Sequence, residues 1–201
     1  PGDEEGPVGR PPSNAESLTW RGRQCGGWSV ETLIRRAGPD DAEGITRAHI
    51  ESWRSAYRDL LPREYLDGLD FEQRLEGWRQ GLEQPGAAVF VAVEPGPERI
   101  VGFCAVGRNR AVPESLPDYQ GELYALYLVE EVKGRGVGRV LFERGAGWLR
   151  ENGWVPFILW VLKDNARARG FYERRGGQLV GAQSIEIAGR AWPEVAYAWE
   201  V

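Results

Sequence analysis

The period of the hydrophobic and polar positions changes several times along the chain, and each change marks a predicted element. Residues 30–37 ("VETLIRRA") are typical of a first strand. The "GPDD" that follows predicts a turn with a helix N-cap at Asp40 or Asp41. Apolar side chains then recur near helical spacing, which predicts a long amphipathic helix that carries Ile45, Ala48, Ile50, Trp53 and Tyr57.

Two shorter helices and a hairpin are predicted next. A short helix is expected around Tyr65 and Leu66, and a further one over residues 71–82. Residues 87–94 ("AAVFVAVE") and 99–108 ("RIVGFCAVGR") are strand-like and are separated by the turn sequence "PGPE". The two strands are therefore expected to pair as a β-hairpin.

The second half of the chain alternates between apolar strands and helices. Residues 121–131 ("GELYALYLVEE") are apolar almost throughout, which indicates a central strand, and a helical pattern begins at Val137. A later short helix is expected to end at Gly176. Further strands are expected at residues 157–162, 178–187 and 194–201. This order predicts an α+β or α/β fold, in which helices cover the faces of one sheet.

The N-terminal segment differs from the rest in composition. Residues 1–28 are rich in Gly, Pro, Ser and charge, which predicts a flexible extension, whereas residues 29–201 carry the regular patterns of a folded domain. A chain of 201 residues suits one domain with a sizeable core together with such an extension.

Charge and cysteine content narrow the function classes. The net charge of −5 argues against a protein that coats nucleic acid. Two cysteines, Cys25 and Cys104, with the single His49, support neither a disulfide framework nor a zinc site, so no metal is expected. No apolar run is long enough to span a bilayer, and the N-terminus lacks a secretory signal. These features predict a soluble cytoplasmic protein without a membrane partner.

A glycine-rich loop, "GRGVGR" at residues 134–139, lies between the central strand and the next helix. Glycines allow close backbone approach, and the N–H groups at a helix N-terminus attract anions, so the loop predicts a phosphate site. The dinucleotide pattern G-x-G-x-x-G fails because Arg139 stands three positions after Gly136. The Walker pattern also fails, since no G-K-[ST] occurs, and both failures disfavour a nucleotide enzyme.

Two stretches together resemble the GNAT superfamily of N-acetyltransferases. The stretch "LYLVEEVKGRGVGRVLF" is similar to its acetyl-CoA loop, Q/R-x-x-G-x-G/A, with Gly136 and Gly138 at the glycine positions and Lys133 where Gln or Arg is usual. The stretch "DNARARGFYERRGG" resembles the family segment N-x-x-A-x-x-F-Y-x-x-x-G. The matching residues of this second segment are Asn165, Ala168, Phe171, Tyr172 and Gly176. The likeness extends over residues 30–201.

The resemblance implies both a fold and a co-substrate. It implies a mixed, mostly antiparallel sheet of six or seven strands with a central splayed parallel pair, and helices on both faces. It implies that acetyl-CoA binds, with its pyrophosphate on the loop and its pantetheine arm along the splayed strand. Asn165 would contact the CoA arm. The strand and loop residues expected to bind the co-substrate are Leu126, Tyr127, Leu128, Val129, Lys133, Gly134, Arg135, Gly136, Val137, Gly138 and Arg139.

The resemblance also implies direct transfer of the acetyl group to a primary amine within a ternary complex. Tyr172 is placed as the acid for the thiolate, although a tyrosine at this position can also be a packed aromatic. Glu122, at the start of the central strand, is the candidate base, and its alternative is a solvated strand-start glutamate. Glu114 and Asp118 in the adjoining loop are further candidates for the base.

The acceptor stays open at this stage. Trp53 and Tyr57 are interpreted as core residues, whereas Arg54 could meet an acidic acceptor, and the nearby acidic residues Glu51, Glu64 and Asp67 favour a cationic one. His49 is expected to be a packed or surface residue rather than a catalyst, and Cys104 to be a small core residue. The acceptor is expected to be a small-molecule amine or a peptide N-terminus, and a homodimer is possible on the family pattern. The alternative function is a non-catalytic acyl-CoA-binding module.

Overall fold

The computed structural model describes residues 18–21, 31–96, 98–110, 116 and 118–200. Within these residues eight strands form one sheet, accompanied by five α-helices. The strands are β1 (Leu18–Arg21), β2 (Glu31–Arg36), β3 (Ala87–Glu94), β4 (Arg99–Arg108), β5 (Gly121–Leu128), β6 (Phe157–Leu162), β7 (Gln178–Ile187) and β8 (Arg190–Trp199). The helices are α1 (Ala42–Ala56), α2 (Arg63–Asp67), α3 (Phe71–Glu83), α4 (Val137–Glu151) and α5 (Ala166–Glu173).

The sheet is mixed and mostly antiparallel, as predicted. Its strand order is β1-β2-β3-β4-β5-β6-β8-β7, and the pairing of β5 with β6 is parallel. Seven strands fall within the predicted domain, and β1 adds an edge strand that pairs with β2 from the segment expected to be a flexible extension. The other residues of 1–28, including Cys25, lie outside the described residues, so the expected flexibility stays a prediction.

Helices cover both faces of the sheet, which confirms the layered architecture. On one face, called the α1 face, Phe103 of β4 packs in edge contact with His49 of α1 and Trp78 of α3. On the other face, called the α4 face, a side chain added at Gly145 of α4 would meet Cys104 Sγ at 2.7 Å. Neighbouring strand residues point to opposite faces, so one apolar strand supplies a core to both layers.

The structure places His49 in the core rather than on the surface, and it confirms Cys104 as a core residue. His49 lies inside the α1-face core, where Trp78 Nε1 donates a 3.1 Å hydrogen bond to its Nδ1. Burial, with a contribution from Arg74, lowers the pKa of His49 from 6.5 to about 3, so its imidazole is neutral at physiological pH. Cys104 is fully buried in β4, and burial raises the pKa of its thiol.

The parallel pair β5 and β6 separates along its length. Pairing is limited to Gly121 with Phe157 and Glu122 with Ile158, at the start of both strands. Beyond that point β5 continues beside β4, and β6 continues beside β8. The resulting gap between residues 123–128 of β5 and 159–162 of β6 is called the cleft below. It is the splayed pair implied by the family resemblance.

Among the described residues, no helix is both long and apolar enough to cross a membrane.

Candidate active site

The glycine loop links the open end of β5 to α4. After a short 3-10 turn at Glu130–Val132, Gly134 and Gly136 adopt φ values of +78° and +86°. These left-handed conformations favour glycine because an L side chain would clash there. Gly136 is the N-cap residue of α4, and the loop therefore turns the chain back from the strand edge into the helix.

The first turn of α4 presents backbone N–H groups at the end of β5. The N–H groups of Arg139 and Val140 donate to the carbonyl of Gly136. Those of Gly136, Val137 and Gly138 precede this point and have no intrahelical acceptor. A Cβ at Gly138 would lie 3.0 Å from Leu128 Cδ1, so its glycine keeps the helix close to the strand. The arrangement combines open donors with the positive end of the helix dipole, which suits an anion.

The cleft-facing edge of β5 offers unpaired backbone groups. The N–H of Val129 donates to the carbonyl of Val101 in β4 at 3.0 Å. Backbone groups of successive strand residues point to alternate sides, so those of Leu126 and Leu128 point away from β4 towards the cleft. An extended chain that enters the cleft could hydrogen-bond this edge as an added strand.

Lys133 braces the loop against α1. Its ammonium lies 2.6 Å from Glu130 Oε2 and 3.3 Å from Ser55 Oγ, and its side chain is 15 % exposed. Arg167 of α5 joins the same carboxylate at 3.0 Å. Hydrogen bonds from Lys133, Ser55 and Arg167 lower the pKa of Glu130 from 4.5 to about 2. Lys133 thus holds the loop through a side-chain network in addition to its place in the motif.

The remaining predicted binding residues lie around the same end of the sheet. Arg139 forms a 3.6 Å ion pair with Glu143 along α4, and Arg135 is half-buried in the loop. Asn165 is the N-cap of α5, and its Oδ1 accepts the N–H of Ala168 at 3.1 Å. This bond fixes the start of α5 beside the cleft, and the predicted contact of Asn165 with the CoA arm stays a prediction.

Tyr172 projects from α5 on the α4 face. Its ring contacts Tyr197 and Trp199 of β8, and it is 7 % exposed. Its hydroxyl makes no hydrogen bond to a described residue. Burial, then the neighbouring Tyr127 and Cys104, raises its pKa, so the phenol is protonated at physiological pH. Tyr172 is therefore packed as a core aromatic and still presents a proton donor between β5 and β8.

Glu122 lies at the closed end of the cleft, where the pairing of β5 with β6 stops. It is buried, which excludes the solvated alternative. Its Oε2 accepts the backbone N–H of Arg110 at 3.1 Å, and its Oε1 accepts from the Arg110 guanidinium at 2.8 Å. Both oxygens are therefore engaged. Of the other candidate bases, Asp118 is exposed and Glu114 lies outside the described residues.

Residues of α1 and its C-cap line the cleft on the α1 face, opposite Tyr172. The hydroxyl of Tyr57 lies 2.9 Å from that of Tyr127, and Trp53 packs edge-on against the Tyr57 ring. Burial raises the pKa of both phenols. Arg54 donates to the carbonyls of Leu66 and Asp67, so it ties α1 to α2.

One acidic residue on this side was missed by the sequence reasoning. Glu194 of β8 is 7 % exposed, and Gln183 Nε2 donates to its Oε1 at 2.7 Å. Burial, and then the charge of Glu122, raises its pKa. The sequence signal was available: Glu194 shares the alternation of "EVAYAWEV" with Ala196 and Ala198, at positions where an apolar side chain is usual.

Known proteins share this sequence pattern and fold. The model of the acetyltransferase (GNAT) family matches residues 50–177. The uncharacterized N-acetyltransferase YuaI of Bacillus subtilis (strain 168) is 32% identical over 166 residues, which cover 83% of this chain and 91% of that protein. A mycothiol acetyltransferase of Rhodococcus opacus (strain B4) is 39% identical over 151 residues, 73% of this chain and 45% of that protein.

Solved structures agree on the fold. The PaiA N-acetyltransferase from Thermoplasma acidophilum, crystallised in complex with coenzyme A, superposes with a TM-score of 0.60 at 18% identity, over 84% of this chain and 99% of that one. The ribosomal-protein-alanine N-acetyltransferase from Brucella melitensis superposes with a TM-score of 0.63 at 23% identity, over 84% of this chain and 99% of that one. Since the family model spans more than half of the chain and YuaI is matched over nearly its whole length, the chain belongs to the GNAT family of acetyltransferases, which use acetyl-CoA as co-substrate.

Proposed function

We propose that the protein transfers the acetyl group of acetyl-CoA directly to a primary amine while both substrates are bound. The observation that carries this proposal is the cleft itself. It is bordered by an unpaired strand edge, and a protonated tyrosine faces it from the α4 face. Two substrates that enter from opposite faces would meet there, so no acetylated side chain is needed.

The described residues fit acetyl-CoA. The N–H groups at Gly136, Val137 and Gly138 would hold the pyrophosphate, and the free edge at Leu126 and Leu128 would pair with the pantetheine amides. Acetyl-CoA supplies an acetyl group on a thioester. A Cβ at Gly138 would intrude on the packing of the loop against β5, which explains the need for glycine there.

Tyr172 is proposed to protonate the departing sulfur. A phenol whose pKa is raised keeps its proton until a thiolate develops beside it. Its hydroxyl has no competing acceptor among the described residues, which supports this role over a purely structural one. Glu122 remains the base predicted from the sequence, although Arg110 already occupies both of its oxygens.

The acceptor is proposed to be a small-molecule amine or a peptide N-terminus. The names of similar proteins point the same way, since one relative is named a mycothiol acetyltransferase and one structural neighbour a ribosomal-protein-alanine N-acetyltransferase. A cytoplasmic location and a homodimeric state belong to the same proposal.

Initial-rate kinetics test the proposal. Release of the CoA thiol is measured while acetyl-CoA and an amine are both varied, over a panel that contains alkylamines, polyamines, amino acids and dipeptides. Direct transfer predicts intersecting double-reciprocal lines, and intact mass spectra of enzyme incubated with acetyl-CoA alone should show no adduct of about 42 Da (the net mass that acetylation adds). Parallel lines with a stable adduct would reject direct transfer.

A further inference from the structure

Glu194 lies on the wall of the cleft that faces α1 and α2. In the sheet it is paired with Leu162 of β6 and with Gln183 of β7. Cross-strand partners share one face of a sheet. Leu162 packs in a cluster with Tyr57 and Leu66, which places Glu194 on the α1 face beside the acceptor side of the cleft.

One oxygen of Glu194 is held and the other is available. Oε1 accepts the 2.7 Å hydrogen bond from Gln183, which orients the carboxylate. Oε2 accepts no hydrogen bond from a described residue. Among the described residues, the fully buried side-chain polar atoms without a hydrogen bond include Trp53 Nε1, Asn109 Oδ1 and Arg175 Nε. Oε2 is not among these sealed atoms, so it keeps some access to solvent on the α1 face.

Among the described residues, no cation is paired with Glu194. The groups that interact with Glu194 are two side chains of β5, the carboxylate of Glu122 and the phenol of Tyr127. The others are the phenol of Tyr57, at the C-cap of α1, and the neutral amide of Gln183 on β7. Burial and the charge of Glu122 both raise the pKa of Glu194. Glu122 differs because Arg110 pairs with it at 2.8 Å. A carboxylate in this position gains most from a cation that arrives with a ligand.

A second, independent group is aimed at the same place. Tyr172 is more than nine-tenths buried, and its hydroxyl has no partner among the described residues. Tyr127 contributes to the raised pKa of Tyr172, and Tyr172 contributes to that of Tyr57, so the phenols of the two faces interact electrostatically. A proton donor and an available carboxylate therefore border one cleft from opposite faces, as acetyl transfer to an ammonium group requires.

We propose that Glu194 binds the ammonium group of the acceptor and accepts its proton, and that Gln183 positions it while Glu122 has a structural role with Arg110. The inference rests on the proposed function and assigns its acceptor to the class of cationic primary amines without an anionic group next to the nitrogen, since Glu122 and Glu194 would repel one. The first proton of the ammonium passes to Glu194. The carbon–nitrogen bond then forms as the carbon–sulfur bond breaks, Tyr172 protonates the sulfur, and the second amine proton returns to Tyr172.

The test compares Glu194→Gln with Glu122→Gln, which are matched removals of charge. Each variant is assayed with phenethylamine, spermidine and glycine amide, and with glutamate as the anionic control. Glu194→Gln should lower kcat/KM for the cationic amines about 100-fold and leave the Kd for acetyl-CoA within about twofold. Glu122→Gln should lower kcat/KM less than about tenfold, with a fall in Tm because the Arg110 guanidinium loses its partner.

The pH profile separates a chemical role from a structural one. In the wild type, kcat/KM should fall with decreasing pH through a group whose pKa is above that of an ordinary glutamate. Glu194→Gln should remove this limb, and its deficit should shrink above the pKa of the amine, where the neutral acceptor is abundant. Loss of the limb in Glu122→Gln but not in Glu194→Gln would overturn the assignment in favour of Glu122.

The failures of the two proposals are distinguishable. A wild-type enzyme that binds acetyl-CoA but acetylates no amine overturns the proposed function and this inference together. A wild-type enzyme that turns over cationic amines, with a Glu194→Gln variant of normal rate and pH profile, overturns the inference alone. Preference of the wild type for glutamate over phenethylamine also contradicts the acceptor class.

Discussion

The two sides of the cleft are built in different ways. The side proposed to bind the co-substrate consists mainly of backbone: glycines with positive φ, the first turn of α4 and the free edge of β5. The proposed acceptor side consists of side chains: Tyr57 at the C-cap of α1, Tyr127 of β5 and Glu194 of β8. Both sides are anchored to the same strand, β5.

This difference indicates which amino-acid substitutions each side can tolerate. Backbone donors do not depend on side-chain identity, so the co-substrate side is sensitive chiefly to added bulk or charge at its glycines. On the acceptor side a single side chain changes charge or hydrogen bonding, so this surface can be altered for another amine while the donor site is kept. Mutations on the two sides should therefore separate acetyl-CoA binding from acceptor selection.

The largest effect is expected at the glycine loop. Gly138→Glu places a carboxylate and its bulk where the pyrophosphate is proposed to bind, and its Cβ would lie 3.0 Å from Leu128 Cδ1. The Kd for acetyl-CoA, measured by calorimetry, should rise about 1000-fold. Gly147→Glu is the matched control, because a Cβ at Gly147 on the same helix meets nothing within 4 Å. Normal binding by a folded Gly138→Glu protein would contradict the loop assignment.

A smaller effect, on rate alone, is expected for Tyr172→Phe. The change removes a hydroxyl without a partner among the described residues, so Tm should change little while kcat falls about 100-fold at unchanged Kd for acetyl-CoA. Tyr197→Phe is the opposite control, since its hydroxyl bonds Arg169 and Glu173. That variant should lose about 1 kcal/mol of stability with kcat close to normal. An unchanged kcat in Tyr172→Phe removes this residue as the acid.

On the acceptor side, Tyr57→Phe should act through the acceptor only. It leaves the buried Tyr127 hydroxyl without its 2.9 Å partner, which should cost about 1 kcal/mol in the free energy of unfolding. The KM for the preferred amine should rise about fivefold and that for acetyl-CoA should stay constant. Tyr65→Phe, nearby in the same cluster, serves as the control. A larger effect on acetyl-CoA than on the amine would break the separation of the two sides.

The smallest effect concerns the brace between the loop and α1. The folded-state pKa of Glu130, about 2, is below its ordinary value of 4.5, so its stabilisation is present above pH 4.5 and is lost as pH falls through 2. Because the side chain is 56 % exposed, solvent screening limits the contribution to about 0.5 kcal/mol. Glu130→Gln should thus lower Tm slightly at pH 6 in low salt, and the difference should shrink as pH falls towards 2 or when salt is raised to about 1 M.

Most of the fold could be predicted because its signals are local. The alternation in β3 and β4, the N-cap at Asp41 and the helical period of α4 each follow from short stretches of sequence, and they confirm the predicted order of elements. The start of β8 was placed late, at residue 194 rather than Arg190, because Pro193 interrupts the strand pattern. The glycine loop could be predicted in the same way, because a positive φ favours glycine at particular positions of the loop.

The sequence by itself therefore determined the order of elements, the GNAT family and the backbone-built side of the cleft. The tertiary structure alone decided that β5 and β6 separate after Glu122 and that the Arg110 guanidinium hydrogen-bonds to the Glu122 carboxylate. It also decided that Glu194 borders the cleft. The physical reason is sequence distance. Glu194 lies far from Glu122 and Tyr57 along the chain, and only the pairing of β8 with β6 brings the three onto one face. Which carboxylate stays available depends on such contacts and not on any motif.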